Sequence, residues 1–202
     1  MRKLQLLLPF ALLALIFGLA ACGGGGEDDE DRVVEVIETT VSSTDPADCK
    51  ALATQKFLEQ TEFSEGPEAV KGCEEDAKDT ENNPDSVEVS KVEIDGSKAT
   101  ADVAFTGNDF DGQTLSVALV EEDGDWKMDE ITGFAEFDQE KLATALEESL
   151  QSGEEPFEKD LAVCFAEVIR DSSKSEVEEI VIGGSSQPIA EIVEGCSQGL
   201  KQ

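Results

Sequence analysis

Histidine and tyrosine are absent from the 202-residue chain, tryptophan occurs once, and of its fifteen basic residues only three are arginine. Missing histidine removes the commonest general base and the usual zinc ligand. Against 47 acidic side chains, fifteen cations cannot form the Lys/Arg patch that phosphate neutralisation needs, which excludes a nucleic-acid binder. No Ser/His/Asp set can be assembled, and neither a glycine-rich phosphate loop nor a Cys-x-x-Cys pair is present. These gaps leave no motif for catalysis, so a non-enzyme with no cofactor and no metal site is expected. The acidity itself reads as a solvated surface.

What is present begins with an apolar run. Residues 1–22 read MRKLQLLLPFALLALIFGLAAC, a short basic start, an apolar stretch and then small residues. That is the layout of a secretory signal peptide. A membrane-spanning helix is the alternative, since Leu4 to Ala21 is nearly long enough, but Pro9 interrupts the run. Leu19-Ala20-Ala21-Cys22 resembles a bacterial lipobox, in which the residue after the cut is a lipid-modified cysteine. The resemblance implies a signal peptide over 1–21, a diacylglyceryl anchor on Cys22 and a place on the outer face of the cell membrane. Two acyl chains make a stable anchor where one is marginal. Gly23–Gly26 and the carboxylates Glu27–Asp31 are expected to form, within 22–32, an extended solvated tether. Anionic headgroups repel such a segment and hold the folded part off the surface.

Helical spacing then places Val33, Val34, Ile37 and Val41 on one face. Asp45-Pro46 is a helix-start signal for a second helix carrying Cys49, Leu52, Ala53 and Phe57. Gly66-Pro67 opens a third, with Ala69, Val70, Cys73 and Ala77 on its apolar side. Strands follow. Val87 and Val89 alternate, then Val92 and Ile94 continue in the opposite phase, which predicts a β-bulge near Ser90-Lys91. Asp95-Gly96 and Asp123-Gly124 are hairpin signals. Between and after them run Ala99, Ala101, Val103 and Phe105, then Leu115, Val117 and Leu119, then Trp126 and Met128, each set at period two. Helices ahead of a four-stranded antiparallel meander make an α+β pattern over 33–137. From 138 to 202 every apolar stripe is helical: Leu142/Leu146/Leu150, Phe157/Leu161/Phe165, Val177/Ile180 behind a Ser173…Glu176 capping box, and Ile189/Ile192/Cys196.

Cys49-x-x-Leu52 with Phe57-Leu58, ahead of a bent meander whose last strand opens Gly-Asp-Trp-Lys-Met-Asp-Glu-Ile (124–131), resembles the nuclear transport factor 2-like, cystatin-like cone domains of actinobacterial lipoproteins. The resemblance covers roughly residues 30–137 and implies helices packed on a bent sheet that forms a cone-like interior. Enzymes of this family use an Asp/His or Asp/Tyr group in the pocket, and both dyads are unavailable here. A carboxylate general base, with Asp129 or Glu130 nearest the last strand, is the remaining catalytic alternative. The residues expected to line an interior pocket are Ala99, Ala101, Val103, Phe105, Leu115, Val117, Leu119 and Trp126, with the two alanines leaving room. A filled interior would point to a spacer or to docking of an envelope protein, an open apolar pocket to a small ligand, and a buried carboxylate within it to catalysis.

Beyond Cys22 four cysteines remain, and four allow three pairings. Each lies on the apolar face of its predicted helix, so Cys49–Cys73 and Cys164–Cys196 are the expected bridges. Asp109/Asp111 and Asp123/Asp125 give carboxylates two apart beside a glycine, yet neither pair matches the twelve-residue calcium loop, and turn chemistry explains them.

Overall fold

The computed structural model describes residues 27–78, 83–152 and 156–200. The expected signal peptide, lipobox and Cys22 lie outside the described residues.

The acidic run expected as an extended tether is instead the start of a helix, α1 (Glu27–Ser42). Asp28 to Asp31 occupy its first turns, where the helix macrodipole favours negative charge. Asp29 also pairs with Arg32 at 3.1 Å, one turn on. Farther along, Val33 and Ile37 are fully buried, as the spacing predicts.

The predicted second helix is broken in two. Asp45 caps locally, its Oδ1 accepting the Ala47 N–H at 2.9 Å, and α2 (Asp48–Ala51) is a single turn. The chain then runs extended through Ala53, and Thr54 caps α3 (Gln55–Thr61) by accepting the Phe57 N–H. The reason lies in the sheet. Leu52 C=O accepts the Met128 N–H, and Met128 C=O accepts the Thr54 N–H, both at 2.8 Å. Two backbone bonds to a sheet edge replace helical ones that would have left that edge bare. The helix α4 (Pro67–Asp76) follows, with proline in its first turn.

Four strands, β1 (Ser86–Asp95), β2 (Lys98–Thr106), β3 (Thr114–Glu122) and β4 (Asp125–Glu136), form an antiparallel sheet in sequence order. The register slips between Ser90 and Glu93, with Lys91 at φ 50°, which is the predicted bulge. Asp123 and Gly124 both have positive φ, 55° and 92°, as a two-residue primed hairpin turn requires. Three further irregularities interrupt the β3–β4 ladder. They bend the sheet, and α1 touches both edge strands, β1 and β4. The sheet thus curls around the helix, and the fold class is α+β as expected.

The remaining helices are α5 (Gln139–Ser152), α6 (Lys159–Asp171), α7 (Lys174–Val181) and α8 (Gln187–Gly199). The Ser173/Glu176 capping box is formed in both directions. These helices do not stand apart: Leu142, Phe165, Ile169, Val177 and Ile180 belong to the same hydrophobic cluster as the sheet's inner face.

Polar clasps complete the docking, and three are glutamines. Fully buried Gln113 pairs with the Asp138 backbone, donating to its C=O at 2.9 Å and accepting its N–H at 2.8 Å. Gln60 accepts the Ile131 N–H and donates to the C=O groups of Ile131 and Ile182, each at 2.8 Å. Gln139 donates to the C=O groups of Ile169 and Ser172, both at 2.6 Å, at the end of α6. Farther along β4, Glu178 accepts the Phe134 N–H at 2.9 Å and Lys174 donates to the Phe134 C=O at 2.8 Å. The free edge of β4 is therefore covered at Met128, Ile131 and Phe134, which removes a template for aggregation. Gly133, at φ 146°, lies at this approach, and a Cβ there would come within 2.7 Å of the Glu178 carboxylate and displace it from the Phe134 N–H.

Candidate functional site: an apolar cavity with an acidic wall

Between α1, α3, α4 and the sheet lies a cavity of about 290 Å³. Its apolar surface comes from Phe57 and Leu58 on α3, Phe105 on β2, Leu115 on β3, Ile131 on β4 and Phe110 in the 107–113 loop. The Cys49–Cys73 bridge, Cα–Cα 6.0 Å, forms part of its wall and ties α2 to α4. The second bridge, Cys164–Cys196, ties α6 to α8 with Cα atoms 5.8 Å apart. Both expected pairings are formed. Closing loops of 24 and 32 residues, each is worth about 3–4 kcal/mol on the chain-entropy model. Two formed disulfides are the mark of an oxidising compartment. Among the described residues no helix is long and apolar enough to cross a membrane.

The cavity is not where the strand pattern placed it. Of the eight predicted lining residues, Phe105 and Leu115 line it. Ala99, Ala101, Val103, Val117, Leu119 and Trp126 instead belong to a filled core with Val33 and Ile37 of α1. The small alanines serve close packing rather than an open space. A period-two stripe marks the inner face of the sheet, but which part of that face a helix covers is a tertiary matter.

Trp126 is 3 % exposed, and its Nε1–H has no hydrogen-bond partner among the described residues. An indole in this state carries an uncompensated desolvation cost of about 1–3 kcal/mol.

Four carboxylates also line the cavity: Asp45, Asp48, Glu62 and Asp76. No lysine or arginine does so among the described residues. Asp48 accepts a hydrogen bond from Ser43 Oγ. Glu62 lies at the end of α3, its carboxylate against Gly72 of α4, where any Cβ would collide with it. Burial, reinforced by the neighbouring Asp76 charge, pushes the Glu62 carboxyl from its ordinary value of 4.5 up to about 7. The carboxylates considered from sequence as a general base are elsewhere. Asp129 accepts from Thr54 Oγ1 at 3.0 Å, and Lys56 lies 3.6 Å from it and 2.6 Å from Glu130. Neither lines the cavity. Glu62 could have been found from sequence, because it follows Leu58 by four and so falls on the apolar side of α3.

A second cavity, about 320 Å³, lies between α3, the sheet and the C-terminal helices. Leu146 and Leu150 of α5, Phe165 of α6 and Ile180 of α7 line it. It shares Thr61, Phe110 and Ile131 with the first. Asp109 borders it and accepts a hydrogen bond from Ser149 Oγ at 3.0 Å; burial raises its pKa from the ordinary aspartate value, and the Ser149 hydrogen bond opposes that shift.

No protein-family model matches the chain, and no curated protein matches it significantly. Among solved structures, the chain is similar to an NTF-2-like protein of unknown function from Silicibacter pomeroyi at 16% identity, over 50% of this chain and 91% of that one, with a TM-score of 0.35. The α+β architecture described above rests on the chain's own sheet and helices rather than on that likeness.

Proposed function

We propose that this chain is a lipid-anchored extracytoplasmic binding module, held to the outer face of the cell membrane through Cys22, with an interior that takes an apolar small molecule. The observation that carries this reading is the open, aromatic-walled cavity of about 290 Å³ beside the filled core around Val33 and Ile37. Interiors normally leave few voids larger than a water molecule, and ligand pockets are concave and mostly apolar with a few convergent polar groups. Two disulfides and the lipobox at 19–22 support the extracytoplasmic setting. Native mass spectrometry of the chain purified from its own host tests the binding role: an added mass of a few hundred daltons is expected, and a clean apo mass overturns it. For the anchor, mature chain beginning at residue 22 and carrying Cys22→Ser should leave the membrane fraction on salt washing. Retention there would sink the anchor.

Glu62 favours a second reading, a carboxylate-based enzyme. With its carboxyl raised to about 7, the group is partly ionised at neutral pH inside an apolar cavity, as a general base would be. A turnover screen comparing native chain with Glu62→Gln separates the two: activity abolished by the amide supports catalysis, whereas unchanged ligand retention without turnover supports binding.

A further inference from the structure

The two cavities share a wall made by Thr61, Phe110 and Ile131. Each alone lies near the lower limit for a ligand pocket of about 300–1,000 Å³, and joined they fall well inside it. Phe110 is the aromatic member of that partition. Its loop is braced by Gly112 N–H to Phe105 C=O at 3.1 Å and by Phe110 N–H to Asn108 Oδ1 at 3.0 Å. Its ring meets Phe105 at 6.0 Å between centroids, tilted by 48°.

The chambers differ in chemistry. The rear one is lined mostly by aliphatic and aromatic side chains; of its polar members the Gln60 amide holds Ile131 and Ile182, Thr61 Oγ1 donates to Phe57 C=O, and Asp109 accepts from Ser149 through one oxygen. A polyhydroxyl ligand would meet few partners among these apolar side chains, whereas a methylene chain needs none. The front chamber carries Asp45, Asp48, Glu62 and Asp76 without a lining cation among the described residues. No donor reaches the Glu62 carboxylate among those residues, and its raised pKa reflects burial beside Asp76. An incoming cation relieves that repulsion, and an incoming carboxylate adds to it.

We propose that the two chambers form one divided site for a single-chain amphiphile with a cationic head, its chain lying past Phe110 beneath the C-terminal helices and its ammonium among the front carboxylates. This rests on the reading of the front cavity as a ligand site. Calorimetry on the full mature chain carrying Cys22→Ser, at pH 7.5 and below micelle-forming concentrations, would compare decylamine, hexylamine, 1-decanol and sodium decanoate. Decylamine is expected to bind one to one, at least tenfold tighter than hexylamine or decanoate. Ile189 of α8 also lines the rear chamber; Ile189→Trp, which fills that chamber, should weaken decylamine at least tenfold and leave hexylamine within twofold, the latter also reporting an intact fold. Glu62→Gln should weaken decylamine several-fold more than decanol. Decanoate or decanol matching decylamine overturns the cationic head while leaving an apolar-ligand pocket standing. Equal loss of both amines in Ile189→Trp, or no loss of either, overturns the divided site. If no alkyl probe binds, the pocket reading fails with it.

Discussion

Replacing Glu62 by glutamine should stabilise the protein, and only above mildly acidic pH. A carboxyl with a pKa near 7 in the folded chain, against an ordinary 4.5, holds its proton more tightly folded than unfolded. The stability this lends is fully present below 4.5 and is lost as pH rises through about 7. At about 1.4 kcal/mol per pH unit the gap sets a ceiling of about 3 kcal/mol. The carboxyl is only half-buried, so solvent screening brings the expected penalty to about 1–2 kcal/mol. Glutamine keeps the shape against Gly72 and never ionises. Urea unfolding of mature Cys22→Ser chain with and without Glu62→Gln, from pH 4 to pH 8, measures the difference directly, and the acidic groups common to both cancel. The variant should match its parent at pH 4 and exceed it by about 1–2 kcal/mol at pH 8. A difference that is flat across this range, or that favours glutamate at pH 8, refutes the account of the cavity wall.

Gln113→Ala should cost about 2–4 kcal/mol by urea midpoint, because it strands the Asp138 N–H and C=O where the sheet hands over to α5. A loss under about 0.5 kcal/mol would mean that water replaces the amide there. Trp126→Phe should cost less than about 1 kcal/mol despite the lost ring area, since the indole N–H has no partner to lose among the described residues. A cost of several kcal/mol, read from thermal unfolding, would show that the N–H is satisfied after all. Replacing Cys164 and Cys196 together by serine should lower stability by about 3–4 kcal/mol, with a matching fall in Tm. An unchanged Tm would mean that α6 and α8 are held by packing alone.

Much of the scaffold was legible from short-range pattern. Period-two stripes at 99–105 and 115–119, the phase slip at Ser90-Lys91 and the Asp-Gly turns are local signals, and backbone sterics and side-chain alternation act locally. The disulfide pairing was legible for a related reason, since each cysteine lay on an apolar helix face and its partner on the neighbouring one. Less was legible where a distant element competes. The helix through Ala53 looked continuous by periodicity, yet it opens to hydrogen-bond the edge of β4 some 75 residues away. The acidic run at 27–31 looked like solvated spacer, and tertiary packing of Val33 and Ile37 drew it into α1.

By itself the sequence determined which chemistry is unavailable, which strands alternate and where the turns fall, because residue type and spacing decide those without reference to the rest of the chain. Tertiary structure alone decided where space is left. The cavity lies beside Phe57, Phe110 and Glu62 rather than under Ala99 and Ala101, because α1 fills the curl of the sheet at one end and leaves the other open. A void belongs to how elements meet, and no single element encodes it.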